Sequence, residues 1–160
     1  MFTIVYTKNC IQTAEKLSER LSEQFGHTCL IPVDQALSSP EDICDFDNIG
    51  LVFNNDGKSL PLEMQDFIRR VLGNCDLSGL QYMFSLCVCD SKPGHALKIV
   101  EKLCAKAGCA PSLSLTIDGN APSSDLDNIA SLIGSGEIRL AKGSLGTMFY
   151  MLFHGIRTRD

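Results

Sequence analysis

The sequence predicts a three-layer α/β/α domain built on a five-stranded parallel sheet with strand order 2-1-3-4-5. Short β-branched and aromatic runs alternate with helical segments, a pattern typical of parallel sheets covered by helices on both faces. Two of the runs, 49–53 and 82–89, are almost entirely apolar, as in strands buried on both faces. Right-handed crossovers between five strands favour this order, with a switch point between strands one and three. The 160 residues fit a single domain, 1–160.

The first half of the chain supplies three strands and one long helix. The strands are predicted at Phe2–Tyr6, Thr28–Val33 and Ile49–Phe53. Apolar residues at helical spacing predict a helix over Ile11–Phe25, which ends at Gly26. Residues 34–47 are acidic and polar, and we expect them to form a connection without a helix.

The second half alternates in the same way. We expect helices at Pro61–Leu72, His95–Ala107, Asp125–Ile133 and Leu140–Phe153. The two remaining strands are predicted at Tyr82–Cys89 and Ser112–Ile117. Pro61 suits the first turn of a helix, and Gly108 is a natural helix end, so these boundaries have a local chemical basis.

Composition excludes two classes of partner. The net charge is −5 and the basic residues are scattered, whereas nucleic-acid binding needs clustered Lys and Arg. No apolar run reaches the roughly 18 residues of a membrane span. The N-terminus lacks a charged segment followed by an apolar one, so no secretory signal is expected. We therefore expect a cytoplasmic protein that binds neither nucleic acid nor membrane.

Eight cysteines are spread along the chain. Without a secretory signal we expect no disulfide, and without a nearby His or third Cys we expect no metal at the Cys87-Val-Cys89 pair. Alternation along a strand places those two thiols on one face, where they can pack against a helix. Cys10 precedes a helix, where a thiolate would be stabilised as a nucleophile. Enzymes with a cysteine nucleophile at this place need an arginine six positions later, where this chain has Lys16. This difference favours a packed thiol at Cys10, and we assign no catalytic residue.

Three loops, Thr7–Thr13, Asn54–Leu60 and Asp90–Gly94, follow the carboxyl ends of predicted neighbouring strands, the place where ligands bind in open α/β sheets. The first precedes a helix, whose unpaired N–H groups favour an anion. His95 has two interpretations, an anion contact or a solvent-facing residue in the first turn of a helix. Asp56 and Asp90 could face each other as a carboxylate pair, or each could be a turn residue or a helix cap. The candidate site residues are Thr7, Lys8, Asn9, Cys10, Gln12, Thr13, Asn54, Asn55, Asp56, Gly57, Cys89, Asp90, Ser91 and Gly94.

The segments at these loops resemble the flavodoxin family, most closely the flavodoxin-like domains found beside ferredoxin-type domains in anaerobic bacteria. The matching pieces are a strand followed by Thr7-Lys8-Asn9-Cys10-Ile11-Gln12-Thr13, the run from Phe53 to Pro61, and the run from Val88 to Leu97. The resemblance covers roughly residues 1–120. It implies a flavodoxin-like fold, FMN as the cofactor, electron transfer as the function, and a redox partner protein.

The chain departs from the family at the cofactor loops. The first loop is short and contains no glycine, so fewer backbone N–H groups converge on a phosphate. The flavin-stacking aromatics of the family align with Asn55 and Cys89, and a glycine pair aligns with Asp90-Ser91. We therefore expect weak or absent FMN binding, with any phosphate near Thr7–Thr13 and any ring between Asn55 and Cys89. The alternative is a cofactor-free module of the same fold that binds a protein or a small molecule.

The C-terminal segment is unusually apolar, with Met148-Phe149-Tyr150-Met151-Leu152-Phe153 in succession. A helix that is apolar on most sides is either buried or docked on another surface. We keep both interpretations: the predicted helix Leu140–Phe153 packs on the sheet, or it forms a homodimer interface.

Overall fold

The central sheet contains five parallel strands. The computed structural model describes residues 1–43, 46–55, 57–90, 92–135 and 157–158. The parallel strands are β1 (Phe2–Tyr6), β2 (Thr28–Pro32), β3 (Asn48–Asn54), β4 (Tyr82–Val88) and β5 (Leu113–Ile117). They lie in the order β2-β1-β3-β4-β5, which confirms the predicted topology and the switch point between β1 and β3.

Helices follow the strands as the alternation predicts. The α-helices are α1 (Ile11–Phe25), α2 (Val33–Ser38), α3 (Leu62–Asp66), α4 (Ala96–Ala107) and α5 (Ser123–Ser135). Single turns of 3₁₀ helix occupy Lys8–Cys10, Pro40–Ile43 and Leu72–Asn74. The predicted Pro61–Leu72 helix begins after Pro61, but from Phe67 to Val71 it continues as a π-helical turn. The strand and helix limits otherwise agree with the predictions to within one or two residues.

Two separate cores show why the domain has three layers. On one face of the sheet, alternate residues of β1 and β4 pack against α1 and α5. On the other face, the intervening residues of the same strands pack against α2, α3 and α4. Successive strand residues point to opposite faces, so a continuous apolar strand serves both cores.

One contact in the first core depends on a glycine. Gly50 lies in the centre of β3, and Phe84 lies opposite it on β4. The Phe84 ring occupies the space where a Cβ at Gly50 would stand. The glycine therefore makes room for the fully buried ring of Phe84.

Three features differ from the sequence predictions or lie beyond them. The expectation of a helix-free connection at 34–47 is wrong, because Val33–Ser38 forms α2 and Pro40–Ile43 a 3₁₀ turn. Val33 and Ala36 are buried one helical turn apart, a signal too short to stand out in the sequence. A two-residue strand β6 (Arg157–Thr158) pairs antiparallel with β5, which was not predicted. The predicted helix Leu140–Phe153 lies outside the described residues.

Candidate functional site

The three candidate loops lie at one edge of the sheet, because β1, β3 and β4 are parallel neighbours and each loop follows a carboxyl end. The first loop is tied to the second. Thr7 is 1% exposed; its backbone N–H donates to Val52 O at 3.0 Å, and its hydroxyl donates to Asn54 Oδ1 at 3.0 Å. The hydroxyl that would serve a phosphate is thus engaged inside the protein.

The rest of the first loop is a tight 3₁₀ turn that leads directly into α1. The Cys10 N–H donates to Thr7 O at 2.8 Å. The side chains of Lys8, Asn9 and Gln12 are exposed, and that of Thr13 is partly exposed. Among the described residues no side chain caps the first turn of α1. Its backbone N–H groups and Lys8 therefore remain the groups of this loop that favour an anion.

Cys10 points inward. It is 2% exposed, and its Sγ lies 3.4 Å from the Thr7 hydroxyl. Burial raises the pKa of the Cys10 thiol, and the Thr7 hydroxyl opposes that shift without cancelling it. A nucleophile needs a lowered pKa and access to solvent. The structure therefore supports the packed thiol and not the nucleophile.

The second and third loops are in direct contact, and we call the contacts between residues 55–58 and 92–95 the loop clasp. Asn55 Nδ2 donates to Lys92 O at 2.7 Å, and the His95 N–H donates to Lys58 O at 2.8 Å. Gly94 has a positive φ of 58° and lies so close to Lys58 that a Cβ would meet the Lys58 Cβ at 2.6 Å. The clasp thus joins the two loops through two hydrogen bonds and one close approach of Gly94 to Lys58.

The remaining predicted site residues fall in four places. Gly57 is exposed in the second loop, next to Lys58. Cys89 is 6% exposed and belongs to the core under α4, as its neighbour Cys87 does; its N–H donates to Ile117 O at 2.9 Å. Asp90 is exposed beside the β5–α5 turn, where a Cβ at Gly119 would lie 3.6 Å from its Oδ1. Asp56 and Ser91 lie outside the described residues, and so the Asp56–Asp90 pair does too.

Burial dominates the chemistry of the Cys87–Cys89 pair. It raises the pKa of the Cys87 thiol well above the ordinary value, and the neighbouring Cys89 raises it further. Both thiols face the helix layer, as the strand alternation predicts. Among the described residues no group of three His, Cys, Asp or Glu side chains is placed to hold a metal ion.

The three loops are evident in the sequence, but the groups that join them are not. Lys58, Lys92 and His95 enter the clasp through backbone atoms, which carry no residue-specific signal. Gly94 was the one detectable sign, since glycine is favoured where φ is positive or backbones approach closely. The ring position expected between Asn55 and Cys89 stays a prediction: Asn55 takes part in the clasp, and Cys89 belongs to the core under α4.

Comparisons with known proteins give similarities of structure but not of sequence family. No family model and no curated protein matches the chain. A flavodoxin from Streptococcus pneumonia TIGR4 is 17% identical, with a TM-score of 0.66 over 88% of this chain and 98% of its own. Rubredoxin oxygen:oxidoreductase from Desulfovibrio gigas is 13% identical, with a TM-score of 0.64 over 89% of this chain and 37% of its own. The Trp repressor binding protein from Bacillus subtilis is 16% identical, with a TM-score of 0.57 over 90% of this chain and 99% of its own.

These likenesses establish a flavodoxin-like fold for the chain, in agreement with the sequence resemblance. The chain spans 37% of the length of the rubredoxin oxygen:oxidoreductase, which is a larger protein. None of the helices in the described part of the chain has the length and apolar character needed to cross a membrane.

Proposed function

We propose that this chain is a flavodoxin-like protein of the FMN-binding, electron-transfer class in which FMN binding is weak or lost. The fold and its flavodoxin neighbours support the class. The loop clasp supports the weak binding, because a ring can enter between the second and third loops only after the Asn55–Lys92 and His95–Lys58 hydrogen bonds have opened.

The energetic cost of the missing contacts is large. An aromatic stack contributes about 0.5–1.5 kcal/mol beyond burial, and Asn55 and Cys89 offer no aromatic ring. A charge-assisted hydrogen bond to a phosphate contributes about 1.5–3 kcal/mol, and the Thr7 hydroxyl is already engaged with Asn54. Losing one stack and one or two such bonds removes about 2–7 kcal/mol, which is several powers of ten in affinity.

An absorbance spectrum of the freshly purified chain, followed by FMN addition, tests the proposal. We expect a colourless protein whose spectrum with FMN is the sum of the two components. The Asn55→Tyr variant should bind FMN more tightly than the chain itself, because it opens one clasp bond and adds a stacking face. Asn55→Ala is the matched control that opens the bond without adding the ring. A yellow protein that retains flavin through purification would overturn the proposal.

The closed loops also favour a second candidate, a cofactor-free module that acts by binding a protein partner or a small molecule. One flavodoxin-fold neighbour, the Trp repressor binding protein, is named for binding another protein. Isothermal titration with FMN separates the two candidates. A heat of binding with a micromolar dissociation constant favours the weak flavoprotein, and no heat of binding up to the solubility limit of FMN favours the module.

We further propose a cytoplasmic location, a redox partner protein for the weak flavoprotein, and no nucleic-acid partner in view of the net charge of −5. The apolar C-terminal segment is proposed as a homodimer contact or a buried helix. Sedimentation of the full chain over a range of concentrations tests the dimer: a constant monomer mass would contradict it.

A further inference from the structure

The C-terminal end of α4 brings two thiols together. Gly108 adopts a left-handed conformation with φ 88°, and its N–H donates to Ala105 O at 3.2 Å. The N–H of Cys109 donates to Cys104 O at 2.9 Å. These are the two hydrogen bonds of the Schellman motif, in which the side chains at the first and last of these six positions meet. Here both side chains are cysteines.

The two thiols differ in access. Cys104 is 0% exposed in the core beneath α4, whereas Cys109 is partly exposed at the edge of that core. Both are free thiols. The Cys104 thiol hydrogen-bonds to Cys109, which lowers the pKa of Cys109 against the effect of burial. The same bond, together with burial, raises the pKa of Cys104. The reachable sulfur is therefore also the one that ionises first.

The pair lies away from the candidate loops. The loops follow the carboxyl ends of the strands, and α4 begins at that edge and runs back to the opposite one. Chemistry at Cys104 and Cys109 thus needs neither a flavin nor the loop clasp, and it stands independently of the proposed function.

We propose that Cys104 and Cys109 form an oxidative modification site that reacts with a hydroperoxide and closes to an intramolecular disulfide. A disulfide needs Cα atoms about 4.4–6.8 Å apart, and the Cys109–Cys104 backbone hydrogen bond holds the two residues at close range. The helix end supplies this proximity before any oxidant arrives.

The reaction balances with hydrogen peroxide as the oxidant. The Cys109 thiolate attacks one peroxide oxygen, the O–O bond breaks, and Cys109 becomes a sulfenic acid while hydroxide leaves. The Cys104 sulfur then attacks the Cys109 sulfur, the S–O bond breaks, and the departing oxygen leaves as water with the Cys104 thiol proton. The first hydroxide takes up the proton that Cys109 had lost. Two thiols are oxidised by two electrons, and one peroxide becomes two waters.

Peptide mapping of the full chain tests the site. The reduced, desalted protein receives limiting hydrogen peroxide, the remaining thiols are blocked, and the sample is digested with trypsin. Cleavage after Lys106 separates the two cysteines, so a disulfide links peptide 103–106 to peptide 107–139. We expect this linked peptide to form first, and Cys109 to be consumed faster than Cys29, a free and partly exposed thiol on β2.

Variants assign the roles. Cys109→Ser should abolish the linked peptide and leave Cys104 reduced. In Cys104→Ser the oxidation should stop at a Cys109 sulfenic acid, which dimedone traps. Cys29→Ser is the control and should leave the link unchanged. The proposal is overturned if Cys109 reacts no faster than Cys29, or if the first link joins Cys109 to Cys75. The proposal is also overturned if no disulfide-linked peptide forms in the unchanged chain. That result does not depend on whether any variant folds.

Discussion

Replacing Gly94 tests the loop clasp, the feature on which the proposed function depends. In Gly94→Ala the new Cβ would overlap the Lys58 carbonyl oxygen and stand 2.6 Å from the Lys58 Cβ. The Lys58 oxygen cannot move away freely, because it accepts the His95 N–H at 2.8 Å. The clasp must therefore open or the two loops must shift.

The magnitude follows from a comparison with Gly57→Ala. Gly57 has a φ of 52°, close to the 58° of Gly94, but nothing lies within 4 Å of a Cβ at Gly57. Both variants carry the cost of a left-handed alanine, about 1–2 kcal/mol. Only Gly94→Ala also loses the clasp, whose two hydrogen bonds contribute about 0.5–1.5 kcal/mol each. Gly94→Ala should thus be about 1–3 kcal/mol less stable than Gly57→Ala.

Urea unfolding and hydrogen exchange measure the two parts of this effect. With a urea dependence of about 2 kcal/mol/M, the midpoint of Gly94→Ala should lie about 0.5–1.5 M below that of Gly57→Ala. The His95 amide should exchange faster in Gly94→Ala and stay protected in Gly57→Ala. Equal midpoints together with an unchanged His95 amide would refute the reasoning, because they would show that the loops do not touch as described.

Three further predictions concern the core and the thiols. Gly50→Ala should lower the free energy of unfolding by about 1–3 kcal/mol, because the new Cβ overlaps the Phe84 ring. Adding Phe84→Leu to that variant should restore part of the loss, as measured by urea unfolding. If the effects of the two substitutions simply add, the contact is not as described. The raised pKa values of Cys10 and Cys87 keep these thiols protonated in the fold, whereas the unfolded chain ionises near the ordinary value of 9.0. Stability should therefore be fully present below about pH 8 and fall as the pH rises to about 10, and Cys87→Ala should flatten that fall. Thiol titration of the reduced, desalted chain in denaturant should find all eight cysteines; a shortfall would indicate a disulfide that the sequence does not predict.

Periodicity predicted the elements that extend over several residues of regular pattern. The limits of β1 and α1 agree with the structure to the residue, because Phe2–Tyr6 is an unbroken strand pattern and Ile11–Phe25 carries a clear apolar stripe. α2 was missed because a six-residue helix with two buried positions has almost no period to detect. The antiparallel pairing of β6 depends on a two-residue contact that leaves no pattern at all.

The edge of the sheet at which the three loops lie was predicted, but the contacts between the loops were not. Parallel strand order placed the three loops at one edge, which the structure confirms. The clasp could not be predicted, since Lys58, Lys92 and His95 join it through backbone atoms that any residue possesses. The Schellman contact is different: Cys104, four residues before Gly108, and Cys109, directly after it, lie at a helix end that the sequence predicts, so the signal was present in the sequence.

Calorimetric titration of the purified chain with FMN tests the central claim most directly. With no aromatic stacking face at Asn55 or Cys89 and the Thr7 hydroxyl engaged, we predict a dissociation constant of about 1 μM or weaker, or no heat of binding at all. A dissociation constant in the nanomolar range would contradict the account and return the protein to the ordinary FMN-dependent electron-transfer class.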